Sequence, residues 1–567
     1  MNTEILSIIL FFLVTAALSY PLGRYIATVY TGERGPADRL FGGLENLMFK
    51  WSGIDARREM RWQEHLKAML TINLVWFFWA MFVLLNQGWL PWNPDGNPSM
   101  TPDLAFNTAI SFVVNCNLQH YSGETGASYF SQVFALMFLQ FVSAGTGLAA
   151  GALVFNAMRQ RTASQLGNFY DYFVKSCTRI LLPISFVAAL FLVADGVPMN
   201  LGAGKDKVMS LQGDSVQVSR GPVAAFVAIK QAGTNGGGYY GANSAHPLEN
   251  PTVWTNLLEN FLILLLPMAF VFALGFYLRK KRLAWMIFGV MTAGFAIILA
   301  VTLWSEMRGN PAIDQLGIAR TDGSMEGKEQ RFGAALSALW SVSTTATSNG
   351  SVNAMHDSFT PLAGGMQMLD MMINALYGGV GVGFLNFYVF IILATFIGGL
   401  MVGRTPELLG KKVEAREMKI AMLVALLHPF LILSGTAIAA FYAAQGHPVA
   451  ANWLNNPGFH GFSEMLYEYT SASANNGSGF EGLGDNNPFW NITTGLVLLL
   501  SRFLPIIGPV AIAGLLAEKK FIPESAGTLR PDSATFGVLV FAVILIIAAL
   551  SFFPALTLGP LAEFLSM

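Results

Sequence analysis

The residues of this chain with the types and spacing to do chemistry lie in four short clusters. They are Asn115-Cys116-Asn117-Leu118-Gln119, Gly233-Thr234-Asn235-Gly236-Gly237-Gly238, Thr347-Ser348-Asn349-Gly350 and Ser473-Ala474-Asn475-Asn476-Gly477-Ser478. Amides, hydroxyls and glycine recur in them, and acids do not. Each cluster follows about ten mostly apolar residues and precedes a long apolar run, so the chain reads as several copies of one unit. Glycine lets the backbone enter positive φ, and a strand alternating such residues with ordinary ones can aim consecutive carbonyl oxygens at one axis. Four such strands would replace the hydration shell of a bare monovalent cation. Taken singly, an Asn-Gly pair more often marks a β-turn; repetition in matching hydrophobic context favours the filter.

The elements that must position these loops are apolar. The chain has 567 residues, 53% of them hydrophobic and 12% charged, with a mean hydropathy of +0.50. That is more apolar surface than a soluble core needs, and the bilayer is the expected solvent. A net charge of −1 without a concentrated basic patch excludes nucleic acid as a partner. Cys116 lies in a proposed filter loop and Cys177 beside a basic loop, which argues against a disulfide between them. The histidines His65, His120, His246, His356, His428, His447 and His460 are scattered without ligand spacing, so no metal other than a monovalent cation in the loops is expected.

The first apolar run, 5–26, has no Lys or Arg before it, and basic residues collect beyond it at Arg34, Arg39, Arg57, Arg58, Arg61 and Lys67. It reads as an uncleaved span with its N-terminus outside. Unit one then comprises a span (67–85), a short segment (104–114), its loop and a second span (129–155). Unit two repeats the order with 173–193, 222–231, its loop and 253–277, and unit three with 284–304, 334–343, its loop and 362–401. Unit four has 420–443, 462–473, its loop and 489–515, and a last span covers 536–556. The expected fold is an all-α polytopic membrane protein: four span–pore helix–filter–span repeats around a pseudo-fourfold pore plus one extra span at each end, ten spans in all. The corresponding divisions are 1–60, 61–160, 161–282, 283–416, 417–520 and 521–567.

Basic clusters after each second span (Arg159 and Arg161; Arg279 to Arg282; Arg404, Lys411, Lys412 and Arg416; Lys519 and Lys520) place those ends in the cytoplasm and the filter loops outside. Trp89, Trp92, Trp254, Trp304, Trp453 and Trp490 at the opposite ends read as an outer aromatic belt. Segments of about ten residues cannot cross a hydrocarbon layer of ~30 Å, so each dips in as a half-helix surrounded by protein. Its C-terminus, carrying roughly half a negative charge, faces the filter and favours cations. Glu124, Glu249, Asp357 and Glu481 follow the loops and are expected to raise the local cation concentration at the mouth. Gln140, Glu259 with Asn260, Asn374 and Arg502 interrupt the second spans and are expected to line a polar vestibule beneath the filter. Arg502 would be a positive barrier to leakage; the competing expectation is that Glu259, Asp370 and Arg502 are paired charges within the bundle. Gly378-Gly379-Val380-Gly381-Val382-Gly383 sits mid-span, where each glycine costs ~1 kcal/mol relative to Ala in a helix, and so predicts a break across the ion path.

The repeated unit resembles the superfamily of K+ transporters that includes the Trk, Ktr and HKT proteins. Gly233 to Gly238 with Ala242-Asn-Ser-Ala-His-Pro247 and Glu249-Asn-Pro251, Gly378 to Gly381, and Gly403-Arg-Thr-Pro-Glu407 narrow the likeness. They are similar to the KdpA family, the potassium-binding subunits of Kdp-type K+-transporting ATPases. The resemblance covers essentially the whole chain. It implies ATP-driven high-affinity K+ uptake in a bacterial inner membrane, together with a P-type ATPase catalytic subunit (KdpB), KdpC and KdpF. It also implies K+ coordination around Asn115, Cys116, Asn117 and Gln119; Thr234, Asn235 and Gly236; Thr347, Ser348, Asn349 and Gly350; and Asn475, Asn476 and Gly477. Gly378, Gly379 and Gly381 would form a gate, with the ion passed sideways to the ATPase subunit, and Arg502 would stand in the vestibule. Cys116 and Leu118 occupy places where the family pattern leads one to expect hydroxyl and aromatic residues. The chain has no G-x-x-x-x-G-K-[ST] loop and no Asp-Lys-Thr-Gly motif, so it is not expected to bind nucleotide or to be a catalyst, and ATP coupling must come from another polypeptide. The alternative is a stand-alone K+ or Na+ channel or symporter of the same architecture; an integral membrane enzyme would need acids and histidines gathered at one interface.

Overall fold

A computed structural model describes residues 3–33, 35–202, 204–209, 212–317, 322–523 and 530–567. Among them ten helices are long and apolar enough to cross a membrane, starting with Thr3–Thr31 and ending with Ala534–Leu558. Between these lie four short helices, Pro102–Val113, Val223–Ala232, Gly333–Ala346 and Phe459–Ala474, each running directly into one of the loop clusters. They are too short to span and almost wholly buried, which is the condition for tolerating a broken helix at membrane depth. The expected order of span, pore helix, loop and span therefore recurs four times, with Trp62–Asn86 opening the first unit and Pro488–Glu518 closing the fourth.

The third unit departs from the others where the glycines predict it. A half-helix, Pro361–Ile373, ends on Asn374 in the left-handed conformation, and the chain resumes as a helix only at Val382–Met401. Residues Tyr377, Gly378 and Gly381 also have positive φ, so the interruption is a true loop rather than a kink.

The extra spans wrap the units. Thr3–Thr31 lies against Val253–Tyr277, and a Cβ on Gly23 would sit 2.6 Å from the Ala269 carbonyl oxygen, so the missing side chain sets how closely these helices approach. Ser19 Oγ adds a hydrogen bond to the Leu265 carbonyl at 3.3 Å. Between the first span and the first unit, Pro36–Ser52 is helical. Its acids Asp38 and Glu45 bind the buried Arg179 at 2.8 and 2.5 Å, tying the segment to the second unit. Trp89, Trp92, Trp254 and Trp304 are exposed as a belt requires, whereas Trp453 and Trp490 are buried and pack edge to face with ring centres 5.1 Å apart. Those two belong to the core of the fourth unit, not to the belt.

Candidate cation filter

All four loops leave their pore helices by the same backbone route. The N–H groups of Cys116, Asn235, Asn349 and Asn476 each donate to the carbonyl five residues back, on Ser111, Lys230, Thr344 and Ser471, at 3.0, 2.9, 3.0 and 2.9 Å. In every case the residues on either side of that middle position are left-handed. The pairs are Asn115 and Asn117 (φ 63° and 56°), Thr234 and Gly236 (47° and 87°), Ser348 and Gly350 (49° and 88°), and Asn475 and Gly477 (51° and 102°). A non-glycine residue held there costs about 1–2 kcal/mol, so four copies of the same strain are not an accident of turns. The alternation ties loop N–H groups back to the loop's own pore helix. Among the described residues, no hydrogen bond reaches the carbonyl oxygens of Cys116, Asn235, Asn349 and Asn476, although all four residues are buried.

The loops close into a ring in chain order. A Cβ on Gly236 would lie 1.8 Å from the Asn349 carbonyl oxygen, one on Gly350 would lie 2.1 Å from that of Asn476, and one on Gly477 would lie 2.1 Å from that of Cys116. Each glycine thus abuts the middle carbonyl of the next loop, and no side chain fits between. The fourth contact breaks the pattern. Asn117 takes the glycine position in loop one, and Gly237 yields the room, its own Cβ position being 2.6 Å from Asn117 Cβ. Both polar atoms of the Asn117 amide are buried without a partner among the described residues.

The other filter side chains turn into the scaffold. Asn115 Nδ2 donates to the carbonyls of Gly233 and Thr234, and its Oδ1 accepts from Asn235 and Ser143. Asn349 Nδ2 reaches the Lys230 carbonyl, and Asn476 Nδ2 the Thr344 carbonyl, so each amide braces its loop against the preceding pore helix. Thr347 Oγ1 donates to the Ser343 carbonyl, Ser348 Oγ to Asn374 Oδ1, and Asn475 Nδ2 to Ser501 Oγ. Gln119 exchanges two hydrogen bonds with the backbone of Gly238, at 2.8 and 3.1 Å. Its amide is a strut between loops one and two. Gly236 has its carbonyl occupied by Asn243 Nδ2 at 2.7 Å.

The glycine break lies directly against the filter. Gly378 N–H donates to the Ala346 carbonyl at 2.8 Å and Val380 N–H to Thr234 Oγ1 at 3.0 Å. A Cβ on Gly379 would come within 3.8 Å of the Thr347 carbonyl oxygen, and one on Gly381 would lie 2.1 Å from that of Gly147. Arg502 reaches the same neighbourhood. Its Nη2 donates to the Ser143 carbonyl at 3.4 Å and lies 3.3 Å from the Cβ position of Gly147, which itself abuts the Val380 carbonyl. Among the described residues Arg502 has no carboxylate within salt-bridge reach. Asp370 binds Thr345, and Glu259 binds Gln231 and Ser244. The expectation of mutually paired charges is therefore corrected.

Two further expectations change. Asn374 accepts from Ser348 Oγ where loop three leaves its pore helix, and Arg502 donates to the Ser143 carbonyl beside loop one. Glu259 is six residues into Val253–Tyr277, about 9 Å of rise from its start, and binds Gln231 of the second pore helix, while Gln140 binds the Gly237 carbonyl, so both stand behind the loops at their own level. Of the four acids, Glu249 and Asp357 are buried rather than free at a mouth, while Glu481 is exposed and Glu124 half-buried. Glu249 is fully buried on Lys230 Nζ at 2.5 Å, Asp357 accepts from His460, Glu481 accepts the Asp357 N–H and Glu124 accepts the Gly241 N–H. They hold the outer loops in shape.

Sequence reasoning missed Lys230, whose ammonium also donates to Asn243 Oδ1 and Ser244 Oγ at 2.7 and 2.6 Å while its carbonyl anchors loop two. A lone Lys five residues before a filter Asn, inside an apolar half-helix, was the available signal. It also missed His120, immediately after loop one, which donates to Glu468 of the fourth pore helix at 3.0 Å and to Asn491 at 2.7 Å. Burial opposes its charge, but Asp485 and Glu468 outweigh burial and push His120 up to about 9. That contact ties unit one to unit four and completes the ring from outside.

Fold and ring together define a polytopic membrane protein of the span–pore helix–loop–span class. The chain belongs to the KdpA family, the potassium-transporting ATPase A subunits, whose profile matches residues 9–565. It is 65% identical over 574 residues to the potassium-transporting ATPase potassium-binding subunit of Flavobacterium johnsoniae, with 100% of both chains covered. It is 59% identical to the protein of that name from Bacteroides thetaiotaomicron over 571 residues, again 100% of each. The protein of that name from Geobacillus kaustophilus is 44% identical over 558 residues, 98% of each. Among solved structures, the potassium transporter TrkH from Vibrio parahaemolyticus aligns with a TM-score of 0.48 at 15% identity, covering 89% of this chain and 98% of that one.

Proposed function

We propose that this chain binds K+ from the outer face in the ring of four loops and passes it inward as the potassium-binding subunit of an ATP-driven uptake complex in a bacterial inner membrane. The observation that carries this reading is the ring itself: four buried middle carbonyls without hydrogen-bond donors among the described residues, each but one packed against a glycine of the preceding loop. Unpaired buried carbonyls are rare in folded proteins, and a dehydrated monovalent cation is the partner that satisfies several at once. Asn117 Oδ1, buried and unpartnered, adds a side-chain oxygen where the other loops have none.

The ion's path continues to the loop 378–381, which acts as the gate beneath the filter, and Arg502 repels a cation that would run straight through. The names of the relatives support a complex with an ATPase chain, and the KdpB, KdpC and KdpF subunits are the partners the family resemblance supplies. Nucleotide chemistry belongs to those partners, since this sequence lacks both phosphate-handling motifs. The test is ATP hydrolysis by the chain alone and by the co-purified complex. K+-stimulated hydrolysis is expected only in the complex; hydrolysis by this polypeptide alone, or its purification as a K+ conductor with no ATPase chain attached, overturns the reading.

A further inference from the structure

Two histidines of the chain each gather two carboxylates, and one of these clusters has an oxygen left over. His460 is in the first turn of the fourth pore helix, and Glu464 stands four residues on, on the same face. Asp357 comes from the short turn that follows loop three. His460 Nε2 lies 2.9 Å from Asp357 Oδ1, and its Nδ1 lies 2.9 Å from Glu563 Oε1 on the C-terminal helix Pro560–Ser566. One ligating atom from each of Asp357, His460 and Glu464 falls within 4.8 Å of the other two. Both carboxylates crowd the backbone of Gly482. A Cβ there would be 2.7 Å from Glu464 Oε1 and 2.8 Å from Asp357 Oδ2.

Glu464 supplies the second, independent observation. The residue is 0% exposed, its Oε1 accepts the Asn456 N–H at 3.2 Å, and its Oε2 has no partner among the described residues. An uncompensated carboxylate oxygen is unfavourable to bury, and here it stands beside Asp357, with Glu481 and Glu563 one contact away. One imidazole among four acids leaves negative charge that a dication would neutralise. His460 keeps 18% of its side chain exposed, which gives an ion an entrance from the outer solution.

We propose that Asp357, His460 and Glu464 form a site for a divalent transition-metal ion of the Zn2+ kind at the outer mouth, and that metal bound there slows K+ uptake. One imidazole and two carboxylates suit Zn2+ better than the all-oxygen shells of Ca2+ or Mg2+. The donors need to close to about 2.0–2.2 Å from the ion, a shift that side-chain rotation of Glu464 and Asp357 supplies, with Glu563 or water completing the shell. The coupling to transport rests on the filter reading above and runs through stacked rings. Phe480 stacks on His460 at 5.8 Å and on Tyr467 at 4.2 Å, and Tyr467 Oη shares a hydrogen bond of 2.7 Å with Ser478, the residue after Gly477. Fixing His460 therefore stiffens the outer end of loop four.

The test uses the assembled complex, its variants Glu464→Gln and His460→Asn, and Zn2+ held at defined free concentrations by a chelator. Equilibrium dialysis reads binding, and K+-stimulated ATP hydrolysis reads coupling. The wild-type complex is expected to bind one Zn2+ that both variants hold at least about tenfold more weakly, and Zn2+ is expected to lower its K+-stimulated rate at least threefold while leaving the variants' rates unchanged. Assembly of each variant is checked by size exclusion, and two substitutions are used so that a failure of one to assemble leaves the other to decide. Equal Zn2+ stoichiometry and affinity in wild type and variants refutes the site. Binding without any change in rate refutes the coupling. Absence of K+ stimulation in the metal-free wild type would instead count against the filter reading, and the dialysis would still decide the metal site.

Discussion

Replacing Gly350 by alanine separates a filter from a turn, because the structure provides a matched control. Gly350 and Gly403 both have positive φ, 88° and 68°, so an added Cβ carries a similar conformational penalty of about 1 kcal/mol at each. They differ in what the Cβ meets. At Gly403 there is nothing within 4 Å, whereas at Gly350 the Asn476 carbonyl oxygen lies at 2.1 Å. Carbon and carbonyl oxygen normally approach no closer than roughly 3.3 Å, so in Gly350→Ala the Asn476 carbonyl must move by about 1 Å. Displacements of about that size in a preorganised site cost one to two orders of magnitude. The half-saturating K+ concentration, measured as the K+ dependence of uptake or of ATP hydrolysis by the whole complex, is therefore expected to rise at least about tenfold, or 1.4 kcal/mol. Discrimination against Na+ should fall with it, since carbonyl placement sets selectivity. Gly403→Ala should stay within about threefold of wild type. If Gly350→Ala also stays within threefold while assembling normally, the loops are turns and the reasoning fails.

Arg502→Ala removes the cation beside loop one that has no acidic partner among the described residues. It is expected to uncouple transport, seen as K+ flux in proteoliposomes without proportional ATP use; unchanged coupling would refute the barrier. Lys230→Met strands Glu249 in a site with 0% exposure and should cost about 3–5 kcal/mol of stability. Adding Glu249→Gln should restore most of it in thermal unfolding of the complex, and a double variant no more stable than Lys230→Met would show that the pair is not the source. His120 is held charged up to about pH 9, above the ordinary value of about 6.5. The stability it contributes is thus fully present below about 6.5 and lost as pH rises to about 9. The melting temperature should fall across that window in the wild type and stay flat in His120→Gln; parallel profiles would refute the assignment.

The parts of the architecture legible in the sequence were those set by local composition. Pore helices such as Pro102–Val113 are marked by apolar runs too short to span, and the break between Ile373 and Val382 is marked by its glycines. Left-handed loop positions were legible at Gly236, Gly350 and Gly477 because glycine announces them. Nothing announces Thr234 or Ser348, which are held at positive φ by the helix-end hydrogen bonds around them. Depth and pairing were not legible, because both depend on contacts far apart in the chain. Glu249 looks like a mouth acid until Lys230 is seen 19 positions before it, folded onto the same spot. His120 and Glu468 are 348 positions apart, and no spacing rule links them. Trp453 and Trp490 carry the same composition signal as belt tryptophans, and only tertiary packing shows that they are core.

The central claim, that the ring of loop carbonyls is where the ion sits, is tested most directly by anomalous diffraction from crystals of the complex grown with Rb+ or Tl+ in place of K+. The account predicts the strongest anomalous peak inside the ring, among the carbonyl oxygens of Cys116, Asn235, Asn349 and Asn476, and its loss in Gly350→Ala. A strongest peak elsewhere, or a ring that stays empty at saturating Rb+, would contradict it.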